Sequence, residues 1–198
     1  LYTSLTTLRQ IDLKKIIAYS SVAHMGLVTI GIFSFNLYGL EGSFLMMISH
    51  GFVSSALFLL VGMLYEKHHS RLIKYYGGLT QLMPLYSVFF LFFSVANLGF
   101  PGTSSFCAEF LILFGAFQIN TFVAFFSSLG MVFSAAYCLW FSNRLLFGQL
   151  RYIYITFYCD LQKKDFAILF PLVFFTLFLG IYPEIFLDYV HISISNLI

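Results

Sequence analysis

The hydrophobic and polar positions of the chain divide it into long apolar stretches separated by short polar blocks. The apolar stretches lack the alternation of a transmembrane β-strand, and they approach the roughly 20 residues that an α-helix needs to cross a bilayer. The pattern therefore predicts an all-α integral membrane fold, with residues 1–198 as a single transmembrane domain and no separate soluble domain. Five transmembrane helices are expected, over about 16–35, 40–64, 82–117, 121–141 and 166–187.

The third stretch is interrupted and too long for one straight crossing. A helix over residues 82–117 would be roughly 54 Å long, whereas the apolar core of a bilayer is about 30 Å thick. Within it, residues 99–105 contain Pro101, which removes a backbone donor and disfavours helix at the residue before it. The stretch is either two crossings joined by a tight turn or one crossing with a discontinuous helix. Breaks of the second kind recur at ion sites in transporters, and the structural alternative is a simple proline kink.

The basic residues distinguish these two topologies. With five crossings, every Lys and Arg lies in the N-terminal block, the 66–82 loop or the 142–165 loop, and these segments share one side of the membrane. With six crossings, the ten basic residues are divided between the two sides. Loop Lys and Arg stay on the side from which a chain is inserted, so five crossings are favoured over a chance clustering. The residues are Arg9, Lys14, Lys15, Lys67, Arg71, Lys74, Arg144, Arg151, Lys163 and Lys164.

Composition excludes several functional classes. Hydrophobic residues make up 60% of the chain and charged residues only 9%, whereas a soluble domain is about one quarter charged. A net charge of +2 provides no basic field for nucleic acid, so no nucleic-acid partner is expected. The three cysteines, Cys107, Cys138 and Cys159, have neither metal-ligand nor disulfide spacing and are interpreted as packing residues. Residue 1 is Leu rather than Met, so the chain is expected to be a piece of a longer protein or one product of a divided gene.

Three ionisable side chains inside the predicted spans are the candidates for chemistry: Glu109, His50 and His24. In this interpretation Glu109 is the one deep acid, roughly 12 Å from the end of its helix, and the two histidines lie roughly 12 to 15 Å from theirs. All three are therefore predicted near the midplane, on three different helices. Ionisable groups within a membrane are costly and usually functional, and an acid and imidazoles joined by water form a path for protons. The alternative for each is a structural packing role, which competes most for His24.

Several motifs resemble the antiporter-like, proton-translocating subunits of respiratory complex I, and the resemblance is closest to the subunit-4 branch of the mitochondrial members. In chain order they are DLKKIIAYSSVAHMG over 12–26, SHGFVSSALF over 49–58, YGGL over 76–79, LGFPGTSSF over 98–106 and EFLIL over 109–113. They follow one another at the family's separations and extend over essentially the whole chain. The resemblance is therefore specific.

The resemblance implies a fold and a role for each candidate residue. The full subunit of the family has 14 transmembrane helices, and this chain resembles its last five. The break at Pro101 matches the family's discontinuous helix, and Glu109 matches the acid of that helix, which passes protons towards the output side. His50 matches a histidine of the central hydrophilic axis, and His24 matches a less critical histidine nearby.

The resemblance also implies a location and partners. The chain is expected to carry part of a proton pathway coupled to quinone reduction by NADH:ubiquinone oxidoreductase in the mitochondrial inner membrane, with its basic loops facing the matrix. The expected partners are other membrane-arm subunits and membrane lipids. FMN, iron–sulfur clusters and ubiquinone are expected in partner subunits, with no cofactor, metal or redox centre in this chain.

One departure from the family pattern limits the prediction. The family's other key groups, a Glu and two Lys on earlier helices, have no counterpart in this sequence. A separate chain or a missing segment must therefore supply the N-terminal helices of the pathway. Three alternatives stay open: a subunit of a multisubunit cation/proton antiporter, a subunit of a membrane-bound hydrogenase, and a purely structural membrane subunit.

Overall fold

The computed structural model describes residues 1–150 and 160–196, and its regular structure over these residues is helical. Arg151 and Cys159, both named above, lie outside the described residues. Besides one 3-10 turn at Ile73–Tyr75, the helices are α1 (Tyr2–Leu8), α2 (Leu13–Phe33), α3 (Leu37–His68), α4 (Leu79–Leu82), α5 (Pro84–Asn97), α6 (Ser104–Ile119), α7 (Thr121–Leu146), α8 (Lys163–Ile181) and α9 (Glu184–Ser195).

Membrane-length helices dominate this architecture. In the described part of the chain, α2, α3, α7 and α8 are each long and apolar enough to cross a membrane, and α5 and α6 are shorter apolar helices. The outer surface is apolar as well, since many large side chains on α7 and α8 point away from the bundle. A water-exposed protein would place polar groups there. The predicted all-α membrane fold is confirmed.

The third predicted span is discontinuous, as expected. Helix α5 ends at Asn97, and α6 begins at Ser104. The two halves contact each other little: α6 packs along α3, whereas α5 packs against α3 and α7. Two antiparallel crossings joined by a tight turn would instead pack side by side. The arrangement is therefore that of one interrupted crossing.

The last span differs from the prediction. One helix was expected over 166–187, but α8 ends at Ile181 and a separate helix, α9, begins at Glu184. Pro183 disfavours helical backbone at the residue before it, and Tyr182 has φ −123° and ψ 65°. The chain turns at this point, so that α9 packs against α3 instead of extending α8.

The described parts of the basic segments meet at one end of the bundle. The N–H of Leu13 donates a hydrogen bond to the carbonyl of Arg71 (2.8 Å), which joins the N-terminal block to the loop after α3. The Lys67 Nζ donates to the carbonyl of Asp160 (3.4 Å), just before α8. The five-crossing topology predicts that these basic segments lie at the same end, and in the structure they are in contact.

The acidic residue at this junction also stabilises the start of α5. The carboxylate of Asp160 accepts hydrogen bonds from the N–H groups of Leu85 and Tyr86, both at 3.0 Å. The first N–H groups of a helix have no partner within the helix, and the helix dipole favours a negative charge there. The contact therefore fixes the first half of the broken crossing to the segment that enters α8.

A small apolar cluster lies towards the other end of the bundle, between α2, α3 and α6. It is called the apolar layer below. Phe186 and Leu187 of α9 pack against it, so the C-terminal helix covers part of it. The buried residues of the layer are Val28, Leu45, Met46, Ala108 and Ile112.

Candidate functional site

The structure brings together the three ionisable residues that the sequence placed near the midplane. His24 comes from α2, His50 from α3 and Glu109 from α6. The Nδ1 atom of His24 lies 3.3 Å from Oε1 of Glu109. The ring centroids of His24 and His50 are 5.4 Å apart. His24 thus occupies the middle of a short row of titratable groups that connects three helices.

This row is deeply buried. The exposed fraction is 1% for Glu109, 2% for His24 and 9% for His50. Both ring nitrogens of His24 and both carboxylate oxygens of Glu109 lack a hydrogen-bond partner within the described part of the chain. Buried polar groups are rarely left without partners, because removing them from water is costly. These polar atoms are therefore ones that buried water could contact.

The break in the third crossing lies directly against the acid. Gly99, the second residue of the break, has φ +77°, a conformation that side-chain-bearing residues rarely adopt. A Cβ atom at Gly99 would clash with Oε2 of Glu109. The non-helical backbone and the carboxyl group are therefore in contact, and the absence of a side chain at position 99 leaves room for the carboxyl.

Hydroxyl groups compensate part of the broken backbone. The Ser105 hydroxyl donates to the carbonyl of Ala96, in the last turn of α5. The Thr103 hydroxyl donates to the carbonyl of Phe100 (2.7 Å) inside the break. The last carbonyls of a helix lack partners within the helix, and non-helical backbone at membrane depth must be satisfied by protein or by water. The chain thus stabilises the discontinuity with its own side chains.

A second buried acid lies near the beginning of α3. Glu41 is 6% exposed and was not among the candidates that the sequence indicated. Its Oε1 lies 2.6 Å from Nδ1 of His191 on α9. An acid inside the predicted span 40–64 was a visible signal, but it was passed over because it falls at the beginning of the span. The pairing with His191 was not predicted, because α9 was not expected as a separate helix.

A buried tyrosine adds to the polar surroundings of Glu109. Tyr137 on α7 is 1% exposed, and the polar groups near its hydroxyl include Ser20 and Glu109. No signal in the sequence indicated this residue, because it lies in a long aromatic stretch and resembles the many tyrosines near the ends of helices. The polar site therefore extends towards α7.

Replacing Gly99 with Ala tests whether the break positions the acid. Gly102 also has positive φ (+96°), but a Cβ there meets nothing within 4 Å, so Gly102→Ala is a matched control. Both variants force a side chain into a left-handed conformation at a cost of about 1–2 kcal/mol. Only Gly99→Ala also displaces the carboxyl group of Glu109. We expect similar losses of thermal stability, but a shifted infrared carboxyl band only in Gly99→Ala, and equal spectra for the two variants would contradict this geometry.

Comparisons with known proteins agree with the family resemblance of the motifs. The family described as NADH:quinone oxidoreductase/Mrp antiporter, transmembrane region, matches residues 1–134. NADH-ubiquinone oxidoreductase chain 4 of Chondrus crispus is 60% identical over 198 residues, the whole of this chain. NADH-quinone oxidoreductase subunit M of Rhodobacter capsulatus is 50% identical over 197 residues. The resemblance to the subunit-4 branch that the motifs indicated is confirmed.

Solved structures have the same fold. A chain of respiratory complex I from Thermus thermophilus superposes with a TM-score of 0.91 at 29% identity, covering 100% of this chain and 42% of that one. A chain of the Mrp complex from Dietzia sp. reaches a TM-score of 0.87 at 19% identity, covering 99% of this chain and 45% of that one, and this likeness concerns the fold alone. The chain spans 40% of the length of the Chondrus crispus relative and 38% of the Rhodobacter capsulatus relative.

Proposed function

Because the chain belongs to the NADH:quinone oxidoreductase/Mrp antiporter transmembrane family, we propose that it carries part of a proton-translocation pathway in the membrane arm of an NADH:ubiquinone oxidoreductase. One observation carries the proposal. A buried row of titratable groups, His50, His24 and Glu109, lies beside a broken membrane helix. This is an arrangement that can hold a proton at membrane depth and exchange it with one side.

His24 is the link in this row. Its ring lies between His50 and the Glu109 carboxyl, and an imidazole binds a proton on one nitrogen while releasing it from the other. A proton on His24 favours the negative form of Glu109, because charges a few ångströms apart interact strongly where little water screens them. Loss of that proton favours protonation of the acid. Proton movement along the row is thus coupled to charge.

Water completes the proposed path. Nε2 of His24 and Oε2 of Glu109, which make no hydrogen bond within the described residues, provide two of the two to four polar contacts that a buried water molecule needs. The contact between Gly99 and Glu109 places the acid at the edge of the break, where backbone groups interrupt the apolar wall. Water in this break exchanges protons between Glu109 and the side of the membrane that the break faces.

The rest of the machinery belongs to other parts of the complex. Electrons pass from NADH to quinone through FMN and iron–sulfur clusters in partner subunits, and the charge changes of quinone reduction reach this chain through neighbouring polar groups. Other parts of the subunit, from a separate chain or a missing segment, supply the remaining Glu and Lys of the path. The chain lies in the mitochondrial inner membrane among lipids and other membrane-arm subunits. Its basic end, at Arg71 and Lys67, faces the matrix.

Purification of the complex through a tag on this chain tests the proposal. The expected product oxidises NADH, reduces ubiquinone, contains flavin and iron–sulfur clusters, and pumps protons when reconstituted into liposomes. A product that exchanges Na⁺ for protons without NADH oxidation would assign the chain to a cation/proton antiporter. Association with a nickel hydrogenase would assign it to that class. Either result would refute the proposal.

A further inference from the structure

A second pair of titratable groups lies outside the row at Glu109. The side chain of Glu41, on α3, is 7% exposed, and its Oε1 is 2.6 Å from Nδ1 of His191 on α9. Burying a carboxyl group is costly unless it is hydrogen-bonded or neutralised. The two residues are 150 positions apart in the sequence, so the contact depends on the packing of α9 against α3.

This pair lies farther from the basic end than Glu109. A Cβ at Gly42 would be 2.8 Å from the backbone nitrogen of Ile112, and a Cβ at Gly115 would be 2.7 Å from Cα of Gly39. Helices α3 and α6 are therefore antiparallel here, and position 41 is level with the turn of α6 that follows Glu109. At 1.5 Å of rise per residue, the two acids differ in depth by roughly 5 Å.

The apolar layer surrounds both acids. In the antiparallel register, Leu45 and Ala108 lie at the level of Glu109, and Ile112 lies at the level of Glu41. Phe186 of α9, on the same helix as His191, covers part of the layer. The two acids thus lie about one helical turn apart in apolar surroundings, where their charges can interact.

Few other charges act on the Glu41 carboxyl. Among the described residues, this end of the bundle has no Lys or Arg. The helices packed against α3 bring Glu184 and Asp188 on α9, His24 on α2 and Glu109 on α6, whereas α8 brings no ionisable group at this end. The only ion pair of Glu41 in the described chain is with a histidine, whose charge depends on a proton. The charge of the pair is therefore set by proton binding rather than by a permanent cation.

The pair also connects the interior to the surface of this chain. Glu41 is enclosed, whereas the side chain of His191 is 53% exposed. From these observations we propose that Glu41 and His191 form a second proton-binding site, about one helical turn farther from the basic end than Glu109, through which protons leave the pathway. The inference rests on the proposed function and adds the place and the residues of release.

The release step is a proton transfer along the 2.6 Å contact. Protonated Glu41 gives its proton to Nδ1 of His191, which leaves a carboxylate and an imidazolium. The imidazolium then loses a proton from Nε2 to water, which leaves the neutral Nδ1–H tautomer. A flip of the half-exposed ring presents the unprotonated Nε2 to Glu41 and readies the histidine for the next proton. Proton arrival from the Glu109 side restores the acid form of Glu41.

Glu41→Gln in the complete, assembled complex tests the site. A Gln at position 41 can still accept a hydrogen bond from His191, so it keeps α9 attached to α3, but it cannot bind and release a proton. NADH-driven proton translocation is measured in sealed vesicles over a range of pH, together with limited proteolysis at the α8–α9 connection. We expect proton release at this site to slow by about 100-fold, as for loss of a positioned acid–base group. The proteolysis pattern should not change.

Two further variants complete the test. His191→Gln changes an exposed side chain and should reproduce the translocation defect. If Glu41→Gln does not assemble, His191→Gln alone tests whether protons leave through this site. Glu66→Gln, which neutralises an exposed acid at the opposite end of α3, should behave like the unmodified protein.

Comparison with Glu109→Gln separates the two proposals. If Glu109→Gln is defective but Glu41→Gln translocates protons normally, the inference is overturned and the proposed function is left intact. Where Glu41→Gln does not assemble, normal translocation in His191→Gln leads to the same conclusion. Normal translocation in Glu109→Gln as well overturns the proposed function itself. A defect in the Glu41 variant with a changed proteolysis pattern, and none in the His191 variant, shows that Glu41 only anchors α9.

Discussion

Glu109→Gln is expected to stop proton passage through this chain while the complex still assembles. Gln has nearly the same shape as Glu and fits beside Gly99, so the packing of the break is kept. It cannot bind a proton, and it removes the charge that interacts with His24 at 3.3 Å. Since a positioned acid–base group contributes factors of about 10² to 10⁴, proton transfer at this position should slow by about 100-fold or more. The ratio of protons translocated to NADH oxidised in sealed vesicles measures the effect.

Another acid serves as the control for this substitution. Glu66→Gln changes the same chemical group at an exposed position near the end of α3, and it should leave translocation unchanged. A normal ratio of protons to NADH in Glu109→Gln, in a fully assembled complex, would remove Glu109 from the pathway. If the variant loses assembly instead of translocation, the result would favour the alternative of a purely structural membrane subunit.

Gly115→Ala is expected to destabilise the packing that brings the site together. A Cβ at this position would lie 2.6 Å from the backbone nitrogen and 2.7 Å from the Cα of Gly39, and backbone atoms cannot move aside as a side chain can. Helices α3 and α6 must therefore separate, which also moves Glu109 relative to His24. Forced overpacking costs about 1–3 kcal/mol, partly offset by the better helix propensity of Ala. The melting temperature of the purified complex and the yield of assembled complex report the loss.

Gly130→Ala provides the matched comparison. It lies within α7, and a Cβ there meets nothing within 4 Å. Ala is favoured over Gly inside a helix by about 0.8–1.0 kcal/mol, so this variant should be as stable as the unmodified protein or slightly more stable. If both variants melt alike, the close approach of α3 and α6 does not limit the stability of the bundle.

Position along a membrane helix was predictable because it depends on local properties. Hydrophobic length identifies a crossing, and a constant rise per residue converts position along a helix into depth. Counting in this way placed Glu109, His50 and His24 at one level, and the structure has them in one row. The discontinuity was also visible, because Pro101 interrupts helix formation regardless of the neighbouring helices.

Contacts between helices required the tertiary structure. A residue count does not establish which side of a helix faces which neighbour, so neither the contact of Gly99 with Glu109 nor the burial of Tyr137 was predicted. The Glu41–His191 pair was missed for the same reason, with an added one: Tyr182 and Pro183 end α8 and redirect α9.

The sequence alone identified a helical membrane chain with a broken third crossing, and it predicted that three titratable groups share one level. Hydrophobicity and helical rise act along the chain and need no partner. Tertiary structure decided which of those groups touch, and that a second acid is buried beside a histidine of α9. Those facts depend on the rotation of each helix and on close backbone approaches such as Gly115 to Gly39, which are set only when the helices pack.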